Sequence, residues 1–292
     1  MDLATINTFI LIVETGSFSL AGERLRLTQP AVSKRIAALE QQLGARLFDR
    51  IGRETTLTEA GRTLLPRARR IQQELQDTQR ALCNLNAQVE GRLSLATSHH
   101  IGLHRLPPIL RSYAKTYPAV ALDIQFLDSE VAYEKTFHGQ VELAVVTLAP
   151  HTAPPLSAKT VWVDQLAFVA APQHPLAQLE QVELAQIAAH PAVLPSDRTF
   201  THRIVRQLFR DQGLNLAMTT NYLETIKMLV SIGQSWSVLP RTLLDDQVQA
   251  LAVSNLSLSR RLGYLVHQER TLSNAARAFM QLLDEQVDEG TD

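Results

Sequence analysis

Two parts of this chain carry side chains suited to chemistry. Near the N-terminus, Gln29, Pro30, Ser33, Lys34 and Arg35 crowd an amide, a hydroxyl and two cations into about two helical turns. Amide and guanidinium groups make paired hydrogen bonds to base edges, and cations neutralise phosphate. Further on, Thr97-Ser98-His99-His100, Asp128, Thr147, Arg198, Thr201, His202 and Glu224 mix hydroxyls, imidazoles and charge. That mixture suits binding a small polar molecule. No G-x-S-x-G elbow anchors a nucleophilic triad, and no Walker or dinucleotide glycine motif occurs. No metal site is expected. His99-His100 lacks the H-E-x-x-H or Cys/His spacing, and neighbours on an extended segment point to opposite sides. No cofactor is expected beyond a small-molecule effector.

The elements that must position the first group are legible. Phe18, Ala21 and Leu25 fall on one helical face, and Ala31, Val32, Ile36, Leu39 and Leu43 on another. Leu27-Thr28-Gln29 is the turn between them. Pro30 suits the first turn of the second helix, and Gly44 stops it. Two short helices joined this way read as a helix-turn-helix, whose second helix enters the major groove of duplex DNA. An earlier helix over residues 3–14 offers Leu3, Ile6, Phe9, Ile10 and Val13 to the same core. A hairpin with its tip at Ile51-Gly52-Arg53 reads as a wing, with Arg50 and Arg53 directed at phosphate or the minor groove.

Thr58 caps a helix predicted to run to about Glu90. Leu64, Ala68, Ile71, Leu75, Thr78, Leu82, Leu85 and Val89 repeat at alternating spacings of four and three, a heptad stripe. One helix has nothing of its own to bury such a stripe against. Each large apolar side chain buried is worth roughly 1.5–3 kcal/mol. Leu64, Ala68, Ile71, Leu75, Leu82 and Leu85 are therefore expected to pair with another subunit.

Charge separates the two parts. Residues 1–70 carry eleven basic and seven acidic residues, so this head is +4 and the remainder −5 in a chain of net charge −1. A basic head on an acidic body is the footprint of a DNA reader with a separate sensing domain. The single cysteine, Cys83, excludes an internal disulfide framework and fits a reducing cytoplasm. No apolar run reaches the about 20 residues a membrane span needs. No basic-then-apolar leader opens the chain, so no signal peptide is expected.

The N-terminal stretch resembles the LysR-type transcriptional regulators. The resemblance is carried by Phe9, Gly16-Ser17-Phe18, Ala21, Leu25, Thr28-Gln29-Pro30-Ala31-Val32-Ser33, Ile36, Leu39-Glu40, Leu43-Gly44, Leu47-Phe48, Arg50 and Leu57-Thr58-Glu59-Ala60-Gly61. The family usually has two alanines where this chain has Ala21-Gly22. The resemblance implies a winged helix-turn-helix domain (1–58) and a linker helix (59–90) that pairs antiparallel with a second subunit. It implies a periplasmic-binding-protein-like effector domain (91–292). Lobe I would be 91–161 with 268–292, and lobe II 162–267. It implies a dimer or a tetramer and leaves RNA polymerase open as a further partner.

From Arg92 the pattern itself changes to alternating strands and helices, an α/β arrangement. In open α/β sheets ligands sit beyond the carboxyl ends of the strands. That rule selects Thr97–His100, Asp128-Ser129 and Thr147 on one side, and Pro195–His202 and Glu224-Thr225 on the other. Free backbone N–H groups after Ser98 and the cations nearby point to a small anion, such as a carboxylate. Ser98, Thr147 and Thr201 are the expected polar anchors. Two other readings compete: a solute-binding or enzyme domain with a non-regulatory helical head, and a purely architectural DNA binder. Binding to the chain's own upstream DNA discriminates the first from a regulator. The second leaves the elaborate C-terminal half without a purpose.

Overall fold

The computed structural model describes residues 1–51, 54–86, 88–254 and 256–287, with backbone alone at Arg50, Ile51 and Glu54. The chain divides into two units, Met1–Leu85 and Asn86–Asp292.

The first unit opens with three helices, α1 (Leu3–Thr15), α2 (Phe18–Leu25) and α3 (Gln29–Leu43). Each has a side-chain cap: Asp2, Ser17 and Thr28 accept from the N–H groups of Thr5, Leu20 and Ala31. Such a cap is typically worth about 1 kcal/mol. Gly16 and Gly44 end α1 and α3 at φ of 63° each, a conformation that favours glycine. The helices enclose Phe9, Ile10, Ile12, Phe18, Val32, Ile36 and Leu39. The expected inner face of α1 is partly corrected. Ile12 is fully buried, whereas Leu3 is 47% exposed. Gly22 has a packing reason: a Cβ there would stand 2.8 Å from the Leu27 carbonyl oxygen. The close turn also lets the Leu27 N–H donate to the Gly22 carbonyl at 2.8 Å.

Strands β1 (Phe48–Ile51) and β2 (Glu54–Leu57) pair antiparallel, Phe48 against Leu57 and Ile51 against Glu54. This is the expected wing. Phe48 anchors it, its ring 5.4 Å from those of Phe9 and Phe18. Helix α4 (Glu59–Asn84) follows, capped by Thr58, and runs unbroken through Pro66. It ends short of the expected Glu90. Gly91 is drawn into a sheet, and Val89 packs on the core of the second unit instead of extending the stripe.

In the second unit β3 (Gly91–Thr97), α5 (His99–His104), α6 (Leu106–Thr116), β4 (Val120–Phe126), α7 (Ser129–Phe137) and β5 (Leu143–Thr147) come first. Next are β6 (Leu156–Ala170), α8 (Leu184–Ala189), β7 (Ala192–Leu194), α9 (Phe200–Leu208), β8 (Leu216–Thr219) and α10 (Leu223–Ser231). The unit closes with β9 (Trp236–Pro240), β10 (Gln249–Ala250), β11 (Leu258–His267) and α11 (Asn274–Asp284). The strands join in the order β4-β3-β5-β11-β6-β9-β7-β8, with β10 on β6.

β6 and β11 are longer than the predicted Trp162–Ala170 and Leu262–Val266, because they pair with each other from Leu258–Leu166 to His267–Leu156. They run through both lobes. Trp162, Leu262, Tyr264 and Val266 belong to the core that includes β3, β5 and α11. Leu166 and Leu258 belong to the core around Phe168, Phe209 and Trp236. The chain thus returns to lobe I near Leu262 rather than at His267. Between the two cores lie Asp164 and Arg260, paired in register. Among the described residues no helix is long and apolar enough to cross a membrane.

Candidate functional site

In the first unit the start of α3 presents Gln29, Pro30 and Lys34 to solvent, with Ser33 and Arg35 half-buried. The Gln29 amide donates to Ser33 Oγ at 3.0 Å, one turn on. Arg35 also makes a contact within the head. Its Nη1 donates at 3.0 Å to Thr8 Oγ1, whose hydroxyl donates at 2.7 Å to the Ala4 carbonyl. Arg35 therefore braces α3 against α1. Arg53 lies outside the described residues, as does the side chain of Arg50.

The heptad residues of α4 divide in two. Leu64 and Ala68 pack on the head's own core, Ala68 fully buried. Ile71, Leu75, Leu82 and Leu85 stand 36%, 38%, 62% and 79% exposed. Leu3 and Leu75 border a groove of about 350 Å³ between α1 and α4.

In the second unit a cavity of about 60 Å³ lies between the lobes. Ser98, His99, His100, Asp128, Thr147 and Thr201 line it, as the strand-end rule predicts. Four expected residues do not. Thr97 is buried and spends its hydroxyl on the Val145 carbonyl at 2.8 Å, tying β3 to β5. His202 is buried with Nδ1 2.8 Å from the Pro195 carbonyl. Arg198 is exposed, and Glu224 pairs with His104 at 2.8 Å.

Arg260, Glu130 and Asn221 are lining residues absent from the sequence reading. Arg260 belongs to a buried network. Its Nη2 meets Asp164 Oδ2 at 3.0 Å, its Nη1 donates to Thr201 Oγ1 at 3.2 Å, and Arg105 Nη2 meets Asp164 Oδ1 at 3.0 Å. Burial alone would raise the Asp164 carboxyl. His100 and the guanidinium groups of Arg260 and Arg105 outweigh it and hold the group well below the usual carboxylate range. A sequence signal existed. Asp164 is a charge inside the predicted strand Trp162–Ala170, and buried charges require partners, whereas Arg260 lies just before the predicted strand Leu262–Val266.

The lobes meet across the cavity. Glu130 Oε1 accepts from the Phe200 N–H at 2.6 Å, and the Asn221 amide donates to Asp128 Oδ2 at 2.7 Å. Burial pushes the Glu130 carboxyl up. At the cavity wall Arg260 is the guanidinium, with Asp164 and Arg105 behind it, and the Asp128 and Glu130 carboxylates are held in these inter-lobe hydrogen bonds. The lining is rich in hydroxyl, imidazole and charged groups.

Comparison with known proteins agrees with this two-unit architecture. Residues 3–62 match the bacterial regulatory helix-turn-helix model of the lysR family, and residues 86–288 match the LysR substrate binding domain. The chain is 30% identical over 292 residues to the uncharacterized HTH-type transcriptional regulator YeiE of Escherichia coli, covering 97% of both. Over 108 residues it is 77% identical to an uncharacterized HTH-type regulator of Azotobacter vinelandii, which is 37% of this chain and 75% of that protein. Its fold is similar to a full-length, singly substituted OxyR from Pseudomonas aeruginosa (TM-score 0.70, 18% identity, 98% and 94% covered). It is also similar to CbnR complexed with target DNA (TM-score 0.63, 20% identity, 98% and 99% covered). A reading head and a separate two-lobed effector unit are the two halves of a regulator rather than an enzyme, and this chain belongs to the LysR family of DNA-binding transcriptional regulators, in which a small-molecule effector controls transcription.

Proposed function

We propose that the effector is a compact anion held between the lobes by Arg260, Ser98, Thr147 and Thr201. The observation that carries this reading is the deeply buried Arg260 on the cavity wall, in a network with two guanidinium groups and one carboxylate. The Ser98 hydroxyl makes no capping bond to α5, so it is available to a guest. A space of about 60 Å³ corresponds to roughly four to six waters. It suits an oxyanion or a short carboxylate, and a bulkier guest requires the lobes to part. Such a ligand acts only through its differential affinity for the lobe arrangements. Ser98→Ala is expected to weaken the effector response at least 10-fold and leave effector-free operator binding unchanged. Candidate anions are to be screened by the rise they cause in unfolding temperature. An unaltered dose response in Ser98→Ala sinks the assignment of that anchor.

On DNA, Gln29 and Ser33 face the bases from the start of α3. Lys34, with Arg50 and Arg53 of the wing, neutralises phosphate. Lys34→Ala should weaken operator and random duplex alike and flatten the salt slope by about 1. Fluorescence anisotropy over a salt series measures this. A loss confined to the operator would instead make Lys34 a base reader. The working form is a cytoplasmic dimer or tetramer paired through α4, and RNA polymerase is the further partner. The exposed Ile71, Leu75, Leu82 and Leu85 support that pairing.

A further inference from the structure

On sequence alone His99 and His100 make no metal site. Helix α5 changes the partner. One turn along it, His100 and His104 share a face, their ring centroids 4.9 Å apart. Across the cleft, Glu224 in the first turn of α10 reaches the same place, its Oε1 2.8 Å from His104 Nε2. One donor atom from each of the three residues lies within 4.8 Å of the others. We propose that His100, His104 and Glu224 form a site for a transition-metal dication of the zinc type, bridging the two lobes.

The donor set fits that ion. Two imidazoles and one carboxylate are common zinc ligands and leave a fourth position for water or a guest. Donors about 2.0–2.1 Å from zinc in a tetrahedron stand roughly 3.3 Å apart, so modest side-chain rotation closes the cluster. Magnesium or calcium would call for more oxygen donors. A second, independent observation comes from His100. It is only 5% exposed, and its Nδ1 makes no hydrogen bond. A buried ring nitrogen without a partner is costly, and a metal would satisfy it. Its Nε2 is 3.4 Å from Asp164 Oδ2, and such outer carboxylates orient metal-binding imidazoles. The site has an entry route, because the His104 and Glu224 side chains are 41% and 40% exposed.

A bound ion would replace the single His104–Glu224 contact with three bonds spanning α5 and α10. It would favour the closed lobes. His100 also lines the effector cavity, so the ion and the effector would share one wall.

The test uses the full chain stripped with a chelator. Calorimetric titration with Zn²⁺ is expected to give one ion per chain at micromolar affinity, and Co²⁺ a visible tetrahedral absorption band. His104→Ala and Glu224→Gln should each weaken Zn²⁺ binding at least 10-fold and abolish the Co²⁺ band. Zn²⁺ should raise the unfolding temperature of the wild type and not of either variant. Both residues are surface-accessible, and circular dichroism checks each fold. If one variant is misfolded, the other decides. Absence of Zn²⁺ binding in the wild type, or equal affinity in the folded variant, overturns the site.

Discussion

Asp164→Ala is expected to destabilise the second unit by about 3–5 kcal/mol, the usual cost of removing one partner from a buried charge network. The carboxylate is inaccessible and is the only acid bonded to both Arg105 and Arg260 among the described residues. Its removal strands the Arg260 guanidinium between the two cores. Both tryptophans, Trp162 and Trp236, lie in this unit, so their fluorescence in a denaturant titration reports its transition. The pH dependence follows from the depressed Asp164 carboxyl. Its stabilisation is complete above the unfolded value of about 3.9 and is lost as pH falls through the lower folded value. The gap between wild type and variant should therefore hold from neutrality to mild acid and shrink only below about pH 4. An unchanged midpoint at pH 7 would show that the network does not hold the lobes.

Leu75→Glu should dissociate the subunits and lower operator affinity by about 10²–10⁴-fold, the avidity gained when two linked heads bind two half-sites. Leu75 is 38% exposed and outside the head core, so a charge there spares the fold. Ala68, fully buried in that core, is the contrasting position. Ala68→Glu should unfold the head itself. Sedimentation of Leu75→Glu at the wild-type mass would remove the α4 interface.

The head was legible because its signals are local. The cap at Thr58, the stop at Gly44 and the apolar spacing each act within a turn or two of the backbone, whereas the Ser17 cap was not read from the sequence. The heptad stripe of α4 was equally plain. It could not reveal that Leu64 and Ala68 serve the head's own core while Leu75 and Leu82 stay exposed, since one periodic face suits either use. The effector unit was legible as alternating strands and helices, and the stretches that the strand-end rule selected include ten of the residues lining the cavity.

Position along the chain alone determined those features. Tertiary structure decided the rest, because it depends on groups far apart in sequence. Asp164 and Arg260 are 96 residues apart and meet only because β6 and β11 pair in register. His104 and Glu224, 120 apart, meet only because the lobes close. That Arg35 meets Thr8 followed only from the packing of α3 on α1. Local propensity sets which elements form. Burial and charge pairing set which side chains remain free for DNA, effector or metal.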